Sequence, residues 1–496
     1  MRTPPLFLLV LLQATVSAAS LVVEIVAGRM LAPYVGMSLY TWTAIIAVVL
    51  AGFSAGHWWG GRLAERIGED ALRRTGWILL AAALSTAGAS ALLAMTAGPI
   101  LNIVGHPVWS IVIIAMAVFF LPSLFAGVPA PVLTQIAISG QARSGRALGA
   151  LFASGAIGAI AGTLLAGFVF ISWLGSTGTL AVVTLAYIGT ALICLRLGRA
   201  RLVWPLLLAL AALGLAARGA FASGPCDVES HYFCIRTVDV SADPAFPVRL
   251  MVIDHLVHGI SAQNTPDVAF TEHAAMLQSL AALRAPRPDF SAFFIGGGTY
   301  SVPRALHATG AGPLTVAEID PMVTQVAMRD FWFDPASATV LHEDARTALR
   351  GRPAATYDLI IGDAFTDIAV PAHLITQEFF KLVKSRLNPQ GSYLMNVVDF
   401  EDRLDTLSAF VRTLQTTFPT VEVWTQQIVP DPGARMVFIV VAGDAPTRVD
   451  SFVAPAPDPM IFGALAQSWV DQLVARSDLI LTDDYAPVDR LMGRTD

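Results

Sequence analysis

The chain has 496 residues, of which 55% are hydrophobic and only 14% are charged, whereas a soluble protein carries about 25% charged residues. Residues 1–222 have a net charge of +8 and the remainder has −14. This composition excludes an ordinary globular protein and predicts a membrane half followed by an acidic soluble half. It also argues against nucleic acid as a partner, because duplex binding needs a basic surface.

The first half contains apolar runs long enough to cross a bilayer, which takes about 20 helical residues. We predict seven transmembrane helices, at residues 6–28, 38–60, 76–97, 107–138, 148–172, 176–195 and 202–218. An alternative for the first run is a secretory signal peptide ending near Ala18-Ala19-Ser20. The run continues to Ala27, which favours a retained helix.

Arginines are concentrated in alternate loops between these predicted helices: Arg62, Arg66, Arg73, Arg74, Arg143, Arg146, Arg196, Arg199 and Arg201. Basic loops remain in the cytoplasm. Seven spans therefore predict a multi-pass inner-membrane protein, in contact with the lipid bilayer, whose acidic half is periplasmic. A helix count wrong by one would reverse this orientation.

Glycines recur at spacings that let helix backbones approach closely, at 52, 56 and 60 and at 155, 158 and 162. Glu24 lies inside the first predicted span, where a carboxylate indicates either a functional site or a partner for Arg29. The stretch VEIVAGRMLAPYVGMSLYTW followed by GGRLAER resembles the first two helices of major-facilitator-type carriers. Seven helices are about half of such a carrier.

Three cysteines are too few for a disulfide scaffold. Cys194 lies in an apolar run, whereas Cys226 and Cys234 follow the last one. Cys226 and Cys234 are either bonded, in an oxidising compartment, or two buried thiols.

From residue 226 onward the pattern is that of an α/β protein. The segments SHYFCIRTVDV and FPVRLMVID predict a small β-sheet, and residues 270–283 predict a helix. Four apolar strands follow, and each ends in polar or glycine residues: FFIGGG, LTVAEID, ATVLHEDA and YDLIIGDAF. Because parallel strands bind ligands at their carboxyl ends, we expect Glu318, Asp344 and Asp363 to share one edge with the glycines. KLVKSRLNPQGSYLMNVV predicts a helix, a turn and a fifth strand, and RMVFIVVAG a late strand.

The order of these motifs resembles the spermidine synthase (aminopropyltransferase) family over residues 229 to about 400. The matching segments are ESHYFCIRTVDV, RLMVIDHLVHG, FIGGGTYSVPR, AEID, EDA and YDLIIGDAF, and the tail LTDDYAPVDRL resembles the membrane-fused branch of that family. The resemblance implies three parts: a transmembrane bundle at 1–222, a small β-sheet at 223–265 and a methyltransferase-type Rossmann domain at 266–496. It also implies a homodimer as one arrangement.

The resemblance further implies roles for individual residues. Asp363 takes the position of the catalytic carboxylate, which removes a proton from an acceptor amine. The donor, decarboxylated S-adenosylmethionine or S-adenosylmethionine, would be bound by Gly296, Gly297, Gly298, Glu318, Asp320, Asp344 and Ala345. The acceptor, a small amine or another cationic molecule, would contact Asp254, His258, Tyr300, Asp367, Asp484 and Tyr485.

Several positions depart from the family pattern. Thr299 replaces the acidic residue that in the family helps to hold the cationic aminopropyl arm, which leaves ordinary S-adenosylmethionine open as the donor. His255 and His258 replace a Gly and a Gln, and Thr271-Glu272-His273 replaces Tyr-Gln-Glu. The spacing of the three histidines is poor for zinc, so no metal is expected.

Three hypotheses follow from the sequence. The first is a membrane-bound aminopropyltransferase-like enzyme with Asp363 as its base. The second is an S-adenosylmethionine-dependent methyltransferase or lyase. The third is a carrier or sensor that binds a nucleoside without turnover.

Overall fold

The structure is a computed structural model that describes residues 4–139, 144–221, 224–364, 370–454 and 459–492. The chain divides into two units, Met1–Cys234 and Ile235–Asp496. The predicted boundary between residues 222 and 223 lies outside the described residues.

The first unit is helical. Its helices in the described part are α1 (Leu6–Val35), α2 (Leu39–Ala64), α3 (Gly68–Ala87), α4 (Ala89–Ile103), α5 (Pro107–Gly127), α6 (Pro129–Ser139), α7 (Ser144–Leu165), α8 (Ile171–Leu197) and α9 (Val203–Phe221). A short π-helix, Ala166–Phe170, joins α7 to α8.

Five helical segments in the described part are long and apolar enough to cross a membrane, or six if one bent pair counts as a span. The bent pair is α3 and α4, which meet at Gly88 with an angle of 54°; the predicted third span, 76–97, crosses this bend. The predicted spans 148–172 and 176–195 are joined in one run of 54 residues, Ser144–Leu197. Within that run Gly175 has non-helical angles (φ 66°), so the run is interrupted at the predicted break.

Glycines bring two pairs of helices into close contact, as their spacing predicts. A side chain at Gly158 would overlap the carbonyl of Ala14, so α7 lies against the backbone of α1. A side chain at Gly56 would overlap the carbonyl of Leu124, so α2 lies against α5. These contacts confirm the close-packing interpretation.

A disulfide between Cys226 and Cys234 closes a loop after α9, which settles the two alternatives in favour of the bond. The loop contains the short strand β1 (Val228–Glu229). Arg29 donates to the main-chain oxygens of Ser230, Tyr232 and Phe233, and not to Glu24.

The second unit begins with a small antiparallel sheet, as predicted. Strand β2 (Cys234–Asp239) pairs with β3 (Val248–Ile253), which pairs with β4 (Leu256–Ala262). Asp254 and His255 form the turn between β3 and β4.

The second unit also contains a nine-stranded sheet. Its strands are β5 (Ala292–Ile295), β6 (Leu314–Ala317), β7 (Thr339–Leu341), β8 (Tyr357–Gly362), β9 (Leu387–Phe400), β10 (Thr420–Gln426), β11 (Arg435–Gly443), β12 (Ser451–Ala454) and β13 (Met460–Ala464). They lie in the order β12-β13-β10-β11-β9-β8-β5-β6-β7. The pairs from β9 to β7 are parallel and the others are antiparallel.

Helices cover both faces of this sheet: α10 (Glu272–Arg284), α11 (Ser301–Ala308), α12 (Pro321–Asp330), α13 (Ala345–Arg350), α14 (Gln377–Arg386), α15 (Asp405–Gln415), α16 (Gln467–Val474) and α17 (Val488–Met492). One hydrophobic core contains Met276 and Leu306, and a second contains Phe380 and Phe410. Burial on both faces explains why every residue of β5, β6 and β8 is buried. The second unit is therefore a Rossmann-like α/β domain.

Candidate functional site

Four parallel strands bring the predicted donor residues to one edge of the sheet. Ile295 is paired with both Ala317 and Gly362, and Ala317 is paired with Leu341. The residues that follow these positions are Gly296, Glu318, His342 and Asp363. The predicted common edge is therefore present, at the side where sheets of this type bind ligands.

The glycine turn after β5 needs glycine for two different reasons. Gly296 has a φ of 93°, and a side chain there would lie 2.7 Å from the main-chain oxygen of Asp363. At Gly297 a side chain would overlap the ring of Tyr300. The backbone of this turn therefore lies at the edge of the sheet without side chains of Gly296 and Gly297 to cover it.

Glu318 holds this turn in place. Its Oε2 accepts a hydrogen bond from the Gly297 N–H at 2.8 Å, and its Oε1 accepts one from the Asp320 N–H at 2.9 Å. The residue is 5% exposed. Burial raises the pKa of Glu318, although these backbone donors oppose the rise. The Gly298 N–H also acts on this carboxylate, and of its roughly four lone-pair sites about one is left to accept a further hydrogen bond.

Asp320 and Asp344 cap helices. Asp320 is 1% exposed, and its Oδ1 accepts from the Met322 N–H at 2.9 Å. Asp344 Oδ1 accepts from the Thr347 N–H at 2.9 Å, and its Oδ2 lies 2.7 Å from His373 Nε2. Partial burial opposes ionisation of Asp344, but the bonds from His373 and Thr347 outweigh it and lower the pKa. Asp344 therefore lies at this edge of the sheet as the N-cap of α13. Ala345, the first residue of α13, is buried.

Asp363 is accessible and lies among polar side chains. Its Oδ1 accepts from Asn396 Nδ2 at 2.9 Å, and its Oδ2 lies 3.7 Å from His273 Nε2. Its side chain is 27% exposed. The carboxylate is thus held by one amide, with its second oxygen directed to a histidine.

Two further histidines lie on the strand-turn-strand unit of β3 and β4. Burial lowers the pKa of His258, despite its hydrogen bond to Leu256 and the nearby charge of Asp363. Because its Nδ1 lies 3.1 Å from the Leu256 carbonyl, which can only accept, neutral His258 carries its proton on Nδ1 and offers Nε2 as an acceptor. Burial, with Arg435 and His258 nearby, lowers the pKa of His255 to about 4.

Thr299 and Tyr300 occupy buried positions beneath the turn. Thr299 is 1% exposed, and its Oγ1 has no hydrogen-bond partner within the described ranges. Tyr300 is 0% exposed; its hydroxyl lies 2.7 Å from Thr324 Oγ1, and its ring stacks on Phe333. The expected substrate contact at Tyr300 does not fit this position, because the whole side chain is buried in the core.

The other predicted acceptor residues belong to three separate segments of the chain. Asp254 is 3% exposed in the β3–β4 turn, with a φ of 53°. Asp367 lies outside the described residues. Asp484 and Tyr485 are exposed in a turn whose neighbour Asp483 pairs with Arg346 at 2.6 Å. That pair fixes the C-terminal turn beside the start of α13, two residues from Asp344.

Three residues of this edge were missed by the sequence analysis: Asn396, His373 and Arg346. Asn396 had a detectable signal, because it is a polar residue inside the apolar strand SYLMNVV. His373 and Arg346 had none, because their partners are distant in sequence. Among the described residues no group of three or more His, Cys, Asp or Glu side chains could hold a metal ion.

Comparisons with known proteins find relatives of part of the chain. No protein-family model matches the sequence. The chain is 35% identical to a polyamine aminopropyltransferase of Vibrio vulnificus over 133 residues, which are 26% of this chain and 44% of that protein. It is 32% identical to an N-terminal histidine N-methyltransferase of Emericella nidulans over 163 residues, which are 32% of this chain and 28% of that protein. The chain thus spans less than half the length of these two relatives.

Solved structures align with part of the chain at lower sequence identity. A probable spermidine synthase from Corynebacterium glutamicum aligns with 52% of this chain and 95% of its own, at 18% identity and a TM-score of 0.45. Human methyltransferase-like protein 13, in complex with SAH, aligns with 44% of this chain and 98% of its own, at 23% identity and a TM-score of 0.30. Part of the chain is therefore homologous, at modest identity, to polyamine aminopropyltransferases, and this conclusion rests on the sequence relatives.

Proposed function

We propose that the second unit transfers an alkyl group from an adenosyl sulfonium donor to an amine. The observation that carries the proposal is the buried Glu318 carboxylate, hydrogen-bonded to the glycine turn at an edge that also bears Asp344 and Asp363. The homology to polyamine aminopropyltransferases supports the same class of reaction.

The residues at this edge fit such a donor. Glu318 has acceptor capacity for a ribose hydroxyl, and the turn at Gly296 and Gly297 offers bare backbone. Asp344 is the acceptor for the adenine amino group in this proposal. When bound, the donor supplies an electrophilic carbon and a thioether leaving group, so that the C–S bond breaks as the N–C bond forms and its electron pair stays on sulfur.

The role of Asp363 is to receive the proton that the acceptor amine loses. Its second oxygen is not held by Asn396, and the side chain is accessible. A positioned base contributes about 10²–10⁴-fold to the rate. His258 Nε2, as an acceptor, orients the N–H of the amine.

Calorimetry on the purified full chain tests donor binding, with S-adenosylmethionine and its decarboxylated form as the two probes. We expect at least one to bind, and mass spectrometry with a diamine acceptor to detect methylthioadenosine. If neither compound binds, the proposal is wrong.

Methyl transfer from S-adenosylmethionine is the second candidate, and Thr299 favours it. This side chain carries no charge to hold a cationic aminopropyl arm, and the N-terminal histidine N-methyltransferase is among the relatives. The nucleoside product separates the candidates: methyl transfer leaves S-adenosylhomocysteine, and aminopropyl transfer leaves methylthioadenosine.

We further propose that the helical unit spans the inner membrane. Ser144–Leu197 would extend about 80 Å as a helix, more than twice the roughly 30 Å hydrocarbon core, and Gly175 interrupts it, so in this proposal it crosses twice. Counting the bent pair once, the unit then crosses seven times and the second unit is periplasmic. Protease accessibility in intact spheroplasts tests this: protection of the second unit would contradict it.

A further inference from the structure

The helical unit contains a cavity of about 640 Å³ that the proposed transfer reaction does not use. Side chains of α1, α2, α6 and α7 line it. Glycines allow α7 to pack closely against α1. Gly60 of α2 lies close to α6, because a Cβ at Gly60 would come within 2.9 Å of the Pro131 ring. The cavity lies among these closely packed helices, and its size is typical of a small-molecule site.

Polar side chains from three of the helices converge on this cavity. They are Gln13 and Ser17 of α1, His57 of α2, and Thr134 and Gln135 of α6. Polar groups within spanning helices are unfavourable in lipid, so their convergence on one cavity indicates a functional site.

Gln13 supplies an independent sign of a missing partner. The residue is 8% exposed, and its Nε2 donates to Ser17 Oγ at 3.2 Å. Its Oε1 is buried and accepts no hydrogen bond from the described part of the chain. A buried oxygen left unpaired is unfavourable, because folding removes its hydrogen bonds to water and replaces them with none. Gln13 lines the cavity, so a ligand there that donates a hydrogen bond, with the amide turned toward it, would remove this penalty.

The lining also defines the charge and shape of the ligand. Of the described residues that line the cavity, none is Asp, Glu, Lys or Arg, so the site offers an ion no countercharge. Phe152 and Leu148, which also line it, are 70% and 40% exposed. The cavity thus combines an uncharged polar wall with an apolar side open to the surroundings of the bundle.

We propose that this cavity binds an uncharged single-chain amphiphile whose head group donates hydrogen bonds, of the monoacylglycerol class. The hydroxyl head pairs with Gln13 and its polar neighbours, and the acyl chain passes Phe152 and Leu148. The proposal rests on the membrane placement above, but not on the transfer reaction.

Photocrosslinking tests the proposal on the full chain in detergent. The probe is a monooleoylglycerol with a diazirine in its acyl chain, and labelled peptides are mapped by mass spectrometry. We expect labelling of α7 and α2 at the cavity, which unlabelled monooleoylglycerol removes and methyl oleate, which has no donor, does not. Equal competition by both compounds would overturn the hydrogen-bonding head group.

A matched pair of glycine variants tests the location. A Cβ atom at Gly61, which lines the cavity, or at Gly149, which does not, would meet no atom within 4 Å, so either position has room for a side chain to begin. We expect Gly61→Leu to reduce labelling at least tenfold and Gly149→Leu to leave it unchanged. Unchanged labelling in Gly61→Leu would overturn the site.

Gln13→Leu tests the recognising group without depending on Gly61. The variant removes an unpaired buried oxygen, so we expect a chain of equal or greater thermal stability with at least tenfold weaker labelling. Undiminished labelling would exclude Gln13 as the recognition element. Nucleoside binding by the second unit, measured in the same samples, should be unaffected, so that failure of either proposal is recognised separately.

Discussion

Asp363 combines partial exposure with one hydrogen bond, from Asn396, and a longer contact to His273, which suits a group that must receive a proton. Asp363→Asn keeps a side chain that can hydrogen-bond Asn396 but removes the base. We expect the transfer rate to fall about 10²–10⁴-fold while donor affinity changes little. Single-turnover kinetics and calorimetry measure the two effects. Asp444→Asn, a change at an exposed carboxylate outside the site, is the control.

A full loss of donor binding in Asp363→Asn would show that the carboxylate holds the donor instead. A retained rate would assign the base to another group. A pure nucleoside sensor predicts an unchanged ligand response and no product from either protein.

Two glycines with similar φ angles allow backbone strain to be separated from steric crowding. Gly296 has a φ of 93° and lies against the Asp363 oxygen, whereas Gly310 has a φ of 101° and open space around it. Alanine at either position should lower the free energy of unfolding by roughly 1–2 kcal/mol through strain. We expect a larger loss for Gly296→Ala, with weakened donor binding, and only the strain effect for Gly310→Ala. Urea unfolding of both variants measures the difference, and equal losses would contradict the crowded turn.

Glu272 makes stability depend on pH. Burial raises its pKa from 4.5 to about 7. Between these values the folded chain binds a proton that the unfolded chain does not, so the free energy of unfolding falls as pH rises through this window. Glu272→Gln should be less sensitive to pH from 4.5 to 8, as measured by denaturant unfolding at several pH values. The exposed Glu343→Gln is the control, and parallel pH profiles for all three proteins would refute the assignment.

Among the secondary-structure elements, the parallel strands were predicted well by local patterns of apolar residues. LTVA and YDLIIG are short apolar runs followed by acids, and they form β6 and β8. The predicted late strand corresponds to β11 with the same bounds, whereas β10, β12 and β13 were missed. Their antiparallel pairing at the far side of the sheet depends on partners distant in sequence, as in the pairing of Trp424 with Ala464.

The candidate site was predictable only as a set of strand ends. The shared position of Glu318, Asp344 and Asp363 was predictable, because each follows a parallel strand and strand direction alone puts them at one edge. Sequence order could not give the burial of Tyr300, whose left-handed backbone (φ 57°) turns its ring under the glycines. The bend at Gly88 was also missed, because the apolar pattern continues through it.

Two glycines of α7 test the packing of helices α1 and α7. The Cβ of a valine at Gly158 would overlap the Ala14 carbonyl, whereas the Cβ of a valine at Gly149 would meet nothing within 4 Å. Overpacking of this kind typically destabilises by about 1–3 kcal/mol. We expect Gly158→Val to lower the thermal unfolding midpoint in detergent and Gly149→Val to leave it nearly unchanged, as followed by circular dichroism. Equal midpoints would exclude close packing of α1 and α7.

The disulfide between Cys226 and Cys234 predicts that this part of the molecule lies in an oxidising compartment. The chain has three cysteines, and Cys194 is a buried free thiol. Protein from native membranes, denatured without reductant, should therefore alkylate at one cysteine, and at all three after reduction. Mass spectrometry counts the adducts. Three adducts without reductant would place the loop at 226–234 in a reducing compartment and contradict the periplasmic proposal.

The C-terminal segment, residues 481–492, determines how truncated proteins can be interpreted. Leu481, Val488 and Met492 are buried in the core of the second unit, and Asp483 is bound to Arg346 beside Asp344. Removing this segment would expose apolar surface and unpair a cation at the rim, so a truncated protein without activity would report misfolding and not a catalytic role. An epitope inserted at the open Gly310 turn would avoid that ambiguity.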